Sequence, residues 1–323
     1  MEQIRLSNVS FEGDNNVYLF DGDEPTLIDT GDWTADTRQS LTESLAENGL
    51  SFADIEQVLL THFHGDHIGL AGDIQEAGGA TVYVHETDAP LVAGDESAWE
   101  EINELHERRF EEWGMPESGR ETLRAIFQIG PDRDNAPTVT PIEDGDQFEV
   151  NGETLTAVHA PGHAAGLCMY ERDDEVFSGD ALLPKYTPNV GGADLRVDRP
   201  LASYLETLRA IVDREYERAW PGHRDVIEDP TGRAREIIEH HEERSWRVLD
   251  ALRRLEPANA WTVSADLFGD LESIHILHGP GEAYAHLEHL REEGVVRRDG
   301  SEYRLADGID EQVRDSDEKR WPL

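Results

Sequence analysis

The chain has 323 residues, one cysteine, and 70 acidic against 28 basic side chains, a formal net charge of −42. Its length can bury one large core or two medium ones, one cysteine excludes an intramolecular disulfide or a cysteine-rich zinc knuckle, and no apolar run approaches the roughly 18 residues of a membrane span. MEQIRLSNVSFEGDNN lacks an apolar signal region and the acids are spread through every segment, so we expect a cytoplasmic protein of a halophilic microbe, whose carboxylate surface stays hydrated where salt screens self-repulsion.

NVYLF (16–20) and TLIDT (26–30) predict paired strands about the turn Asp21-Gly22-Asp23. Leu41 and Leu45 share one face of a helix expected over Asp36 to Asn48, with Gly49 as its stop. VLLT (58–61) reads as a short buried strand, Ile68 to Ala77 as a helix, and TVYVH (81–85) as the next strand, a layered α/β pattern. From residue 85 to about 137 the sequence is helical and highly charged, an insertion that is either a solvated excursion or a cap over the preceding loops. Strands resume at 146–150, 154–159, 167–171 and 175–179, followed by a helix over Leu201 to Arg214 and a short strand ending in AWPGH (219–223). Beyond Asp229 a long helix is expected from Pro230 to Leu255. Two further helical stretches, TVSADLF and GEAYAHLEHLREEG, then precede a hairpin about Asp299-Gly300. Helices followed by a hairpin suggest a winged-helix-like unit, so the expected division is a domain over 1–228 and a second over 229–323.

The stretch LLTHFHGDHIGL (59–70) places His62, His64, Asp66 and His67 within six positions directly after an apolar run. Neutral imidazole and carboxylate are favoured ligands of zinc and similar first-row ions. On a short loop His62 and His64 can share one ion, while Asp66 and His67, at the expected start of a helix, can diverge toward a second. His106, His240, His241, His286 and His289 lie in helical, charged contexts and read as ordinary surface or core histidines. His163, Asp180 and His223 are different, because each follows a predicted strand in a turn, as the first cluster does. In layered α/β folds such strand ends gather at one edge, where ligands bind.

The ordered set His62-x-His64-x-Asp66-His67, then His163, Asp180 and His223, resembles the metallo-β-lactamase superfamily of hydrolases over roughly residues 1–228. The resemblance implies an αββα sandwich and a two-metal site. His62, His64 and His163 would hold the first ion, Asp66, His67 and His223 the second, and Asp180 would bridge them. Zinc is the first expectation, with iron or manganese as alternatives. Asp29 in LIDTG resembles the acid that orients a ligand histidine. The implied reaction is hydrolysis by a hydroxide shared between two ions, with Asp66 and Asp180 steering it and one of them passing a proton to the leaving group. Aspartate at 180 departs from the lactamases with a cysteine ligand there, and histidine at 64 departs from the oxygen-reducing diiron members.

The layout after Asp180 and the helical tail resemble the glyoxalase-II-like and lactamase-beta-2-like branch, which implies a small ester or thioester substrate or, alternatively, RNA or a phosphodiester. A mononuclear iron thiol dioxygenase and a non-catalytic binding protein are further alternatives. Lys185, one of two lysines in the chain, and Tyr186 beside it are candidate contacts for a substrate carboxylate or an oxyanion. Residues 256–306 hold ten acids and four arginines, a net of −6, whereas a duplex reader shows a basic face. We therefore expect the tail to serve packing or homodimer formation ahead of nucleic-acid binding, which stays open as the alternative, and expect no membrane partner.

Overall fold

The computed structural model describes residues 1–8, 13–127 and 135–309. Its first sheet has six strands in chain order: β1 (Glu2–Leu6), β2 (Asn15–Phe20), β3 (Thr26–Ile28), β4 (Gln57–Leu59), β5 (Thr81–His85) and β6 (Val139–Ile142). β1 to β3 pair antiparallel and β3 to β6 parallel. The second sheet has five. From the far edge they are β7 (Gln147–Val150), β8 (Glu153–His159), β9 (Cys168–Arg172), β10 (Glu175–Gly179) and β11 (Arg218–Pro221), with only β10 and β11 parallel.

Side chains alternate across a strand, and β2 shows what that builds. Tyr18 and Phe20 face the second sheet, joining Phe148, Leu155, Tyr170 and Phe177 in the layer between the sheets. Val17 and Leu19 face the other way and pack under helix α1 (Ala35–Glu47) through Leu41 and Leu45. α1 starts where Thr34 Oγ1 accepts the Thr37 amide at 3.2 Å. The outer face of the second sheet is covered in the same way. There Tyr204, Leu205 and Leu208, on a helix over Pro200–Arg214, and Ile237, on one over Pro230–Leu255, pack on Met169, Val176 and Ala219. The layers are α, β, β, α, as the resemblance implied.

Three expectations change. The helix over Ile68 to Ala77 is two pieces, α2 (Gly65–Ile68) and α3 (Ala71–Gly78). The chain breaks at Gly69, whose amide bonds Gly31 O at 2.8 Å and whose α-carbon lies so close to the Asp32–Trp33 backbone that a Cβ would fall 2.3 Å from Asp32 C. β1 and β6 were not expected from sequence. β1 buries only Ile4 and Leu6, and β6 is mostly exposed and carries Pro141, which weakens the strand signal.

The insertion packs on the C-terminal tail, and its Trp99 ring also lies 6.5 Å from the Phe63 ring in the loop that follows β4. It forms α4 (Ala89–Val92), α5 (Glu96–Glu112) and α6 (Glu117–Phe127). Phe110, Trp113, Met115 and Leu123 share one apolar cluster with the tail, which consists of α8 (the Pro230–Leu255 helix, α7 being Pro200–Arg214), α9 (Ala260–Phe268), α10 (His275–Glu292) and the hairpin β12 (Val296–Asp299) and β13 (Glu302–Leu305). Arg109 Nη1 donates to Tyr284 Oη at 2.8 Å across that junction. Among the described residues no helix is long and apolar enough to cross a membrane.

Candidate metal centre

Four loops converge at one edge of the sandwich, each leaving the C-terminal end of a strand: β4 into His62–His67, β8 into His163, β10 into Asp180 and β11 into His223. The sheets are tied together there. Cys168 N donates to Thr61 O at 2.8 Å, Tyr170 Oη to Leu60 O at 2.7 Å, and Tyr18 Oη to Pro221 O at 2.6 Å.

All seven residues predicted as metal ligands come together. Ligand atoms of His62, His64 and His163 lie within 4.8 Å of one another, as do those of Asp66, His67 and His223, and those of His62, His67 and Asp180. Asp180 Oδ2 is 3.4 Å from His223 Nε2 and 3.7 Å from His163 Nε2, and its Oδ1 is 3.7 Å from His67 Nε2, so one carboxylate lies between the two groups.

Most of the imidazoles are fixed from behind. A carbonyl only accepts, so a ring nitrogen bonded to one carries the proton and leaves the other nitrogen bare. His163 Nδ1 bonds Asn189 O at 3.0 Å, His64 Nε2 bonds Ala193 O at 3.1 Å, and His223 Nδ1 bonds Gly13 O at 3.2 Å. Asp29, expected to orient a ligand histidine, lies behind His67. Its Oδ2 takes His67 Nδ1 at 2.8 Å while Thr61 N and Oγ1 hold its two oxygens, each at 2.8 Å. Asp29 sits at φ 59, a strained backbone for a residue with a Cβ, held by the bond from its amide to Leu59 O.

The bare nitrogens then point at one another. His163 Nε2 and His64 Nδ1, both acceptors, are 3.1 Å apart. His67 Nε2 and Asp180 Oδ1 are buried with no hydrogen-bond partner. Gly222 completes the cradle, since a Cβ there would fall 2.5 Å from Asp180 Oδ1 and 2.7 Å from His67 Cε1. Facing lone pairs and orphaned donor atoms cost free energy unless a cation lies between them, so the residues fit divalent metal.

Electrostatics separate the two groups. Burial pushes the His64 imidazole down to about 4, with the neighbouring His163 adding to the effect. Burial also lowers His62, with His67 and His64 adding to it, and lowers His163 by more than Asp180 raises it. Burial acts the same way on His67 and His223, but Asp180 and Asp66 outweigh it and both are raised, with Asp29 contributing at His67. Burial would raise Asp180 and Asp66, yet His223 and His67 bring both below the usual carboxylate range.

Several site residues gave no sequence signal. Asn8 and Asn15 donate to Asp66 Oδ2 at 3.3 and 3.2 Å. Asp88 accepts from Phe63 N at 3.0 Å and Asp194 from Ala165 N at 2.8 Å, while Arg196 Nη2 bridges the two acids at 2.7 and 2.6 Å. That buried pair of acids clamps the His62–His64 loop to the His163 loop, and nothing in the spacing of 63, 88, 165, 194 and 196 foretells it. Lys185 and Tyr186 are exposed, Tyr186 at 46%, and neither joins the ligand cluster.

A four-layer α/β fold with converging imidazoles and carboxylates at its strand ends defines a metal-binding enzyme site. The comparisons agree. The metallo-beta-lactamase superfamily profile matches residues 11–223, and this chain belongs to that superfamily. It is an enzyme, a hydrolase. The fold of the metallo-beta-lactamase family protein TTHA1429 from Thermus thermophilus superposes with a TM-score of 0.80 at 32% identity, covering 94% of this chain and 98% of that one. The probable metallo-hydrolase YqjP of Bacillus subtilis is 25% identical over 91% of this chain and 92% of its own length. The lactamase-like protein AdaB of Aspergillus niger is 30% identical over 76% of this chain, which spans 61% of AdaB. An atrochrysone carboxyl ACP thioesterase of Aspergillus chevalieri is 27% identical over 82% of this chain and 68% of its own.

Proposed function

We propose that the chain hydrolyses a small ester or thioester at a two-ion centre, in the manner of the glyoxalase-II-like branch. The observation that carries this is the convergence of seven donor side chains whose lone pairs face one another around Asp180. His62, His64 and His163 would hold one divalent ion and Asp66, His67 and His223 the other, with Asp180 shared and zinc as the expected metal. Bound ions supply Lewis acidity toward the acyl oxygen and lower the pKa of a water between them.

The protein's own part is orientation and proton handling. Asp66 Oδ2, held by the Asn8 and Asn15 amides, steers the water and takes its proton. The water oxygen bonds to the acyl carbon, the carbon–sulfur or carbon–oxygen bond breaks, and the leaving thiol or alcohol receives the proton. The thioesterase named for an Aspergillus relative supports an acyl substrate. We read the tail as a winged-helix-like packing unit. The acidic balance of 256–306 and the many apolar side chains that the tail commits to the shared core favour that over nucleic acid.

The test is turnover by metal-loaded protein, before and after chelation, of thioesters, lactones, bis-p-nitrophenyl phosphate and single-stranded RNA, alongside elemental analysis. We expect about two ions per chain and chelator-sensitive thioester or ester cleavage. Cleavage of RNA alone, or less than one ion per active chain, overturns the reading.

A further inference from the structure

We propose that Arg224, with Tyr186 and Lys185, forms an anion-binding subsite on the rim of the metal centre, on its His223 side. It would take a carboxylate or phosphate of the substrate. This rests on the hydrolase reading and adds a substrate class to it.

Arg224 directly follows the ligand His223, and both contact Gly13. His223 Nδ1 bonds Gly13 O at 3.2 Å, and the Arg224 guanidinium lies against the Gly13 α-carbon, where a Cβ would fall 3.0 Å from Cζ and Nη2. The Arg224 backbone sits at φ 68 and is pinned there. Its amide donates to Asp14 O at 3.2 Å, and its carbonyl accepts from Asn16 Nδ2 at 2.9 Å and Gln3 Nε2 at 3.4 Å. The backbone is therefore spent on aiming the side chain.

The guanidinium lies over the Tyr186 ring with Cζ 4.8 Å from its centroid, and Lys185 Nζ lies 5.2 Å from the same centroid. Tyr186 is the only strongly exposed aromatic side chain among the described residues. Arg233 holds the segment by donating to Leu183 O at 2.7 Å and Tyr186 O at 3.1 Å.

The charge balance makes the cluster unusual. With 70 acids for 28 bases, cations in this chain are easily paired. Nearby Asp225 is taken by Arg5 at 2.7 Å and Glu236 by Arg233 at 3.0 Å. Among the described residues neither Arg224 nor Lys185 has an acidic partner, and Arg224 Nε is buried without any hydrogen-bond partner. A guanidinium held over an aromatic ring by cation–π attraction keeps its planar donor fork available for bidentate recognition of a carboxylate or phosphate. On a surface of net charge −42 such a spot offsets the repulsion an anionic substrate meets.

Three thioesters separate the sources of that anion: S-acetyl-N-acetylcysteamine is neutral, S-succinyl-N-acetylcysteamine carries a carboxylate on the acyl group, and acetyl-coenzyme A carries phosphates on the leaving thiol. At one fixed salt concentration we expect the native enzyme to favour one anionic substrate by about tenfold or more in kcat/KM, mainly through KM. Arg224→Gln should erase that preference and Arg224→Lys restore part of it. Calorimetric binding of succinate and of 4′-phosphopantetheine to the same proteins judges the subsite without turnover. No anionic preference with equal binding to native and Arg224→Gln protein, or a preference that survives both Arg224→Gln and Lys185→Ala, overturns the proposal. If no thioester is cleaved the hydrolase reading fails, and the binding comparison alone decides the subsite.

Discussion

The two halves of the candidate metal centre share the His62–His67 loop but are braced by opposite ends of the chain. His62, His64 and His163 are three neutral imidazoles, two of them anchored on the carbonyls of Asn189 and Ala193. That loop is fastened to the tail. Asn189 Nδ2 donates to His278 O and Glu282 Oε2, both at 3.1 Å, and Gly191 and Gly192 pack so closely on α10 that a Cβ on Gly281 would fall 2.3 Å from Gly192 Cα. Asp66, His67 and His223 form a half that contains a carboxylate of its own, braced by the N-terminal Asn8, Gly13, Asn15 and Asp29. A charged half attracts a cation unaided, whereas a neutral half depends on geometry. Asp180 joins them.

The largest effect should come from breaking both halves at once. Asp180→Ala removes the shared carboxylate, so a loss of about 4 kcal/mol of transition-state stabilisation, roughly a thousandfold in rate, is expected with the far-UV spectrum retained. Gly222→Ala tests the same point without touching a ligand, because its methyl would lie 2.5 Å from Asp180 Oδ1. Either variant binding two ions with native turnover would remove Asp180 from its shared position.

The contrast between the halves also marks what the sequence could disclose. The ligands were legible because each breaks a strand signal with a metal-avid side chain, and the sandwich because β2 and its neighbours alternate. The braces were not. Asn8, Asn15, Asn189 and Asp194 are common turn residues whose partners lie far off in the chain, and the Asp88–Arg196 contact spans a separation of 108. The packing of the insertion on the tail was hidden for a related reason. Its charged face dominates the composition, while the few side chains that matter, Phe110, Trp113 and Leu123, meet the tail about 130 residues later. Local patterns report a residue's own element, and tertiary partners override them.

Asp29→Asn should weaken the charged half alone. The amide would present an N–H to His67 Nδ1, now 2.8 Å from a carboxylate oxygen, forcing the proton onto Nε2, which faces the ion. Affinity of that half should fall about 10- to 100-fold, read as separation of two steps in a metal titration followed by cobalt absorption. A single unshifted curve would show that Asp29 does not set the tautomer.

The smallest effect, and the sharpest test of the tail's part in the site, is Asn189→Ala. The backbone carbonyl that receives His163 Nδ1 survives the change, so no ligand or direct anchor is lost. What goes is the pair of bonds from Nδ2 to α10 and the acceptor for the Gly192 amide at 3.1 Å. Each such bond is worth about 1 kcal/mol, and with about one bond's worth of the loss reaching His163 through the surviving backbone anchor, roughly fivefold weaker binding is expected, confined to the imidazole half. Loss shared equally by both titration steps would mean that the variant loosens the whole edge of the sandwich. Loss in the first half alone, with Asp29→Asn affecting only the second, would establish that each end of the chain governs one ion.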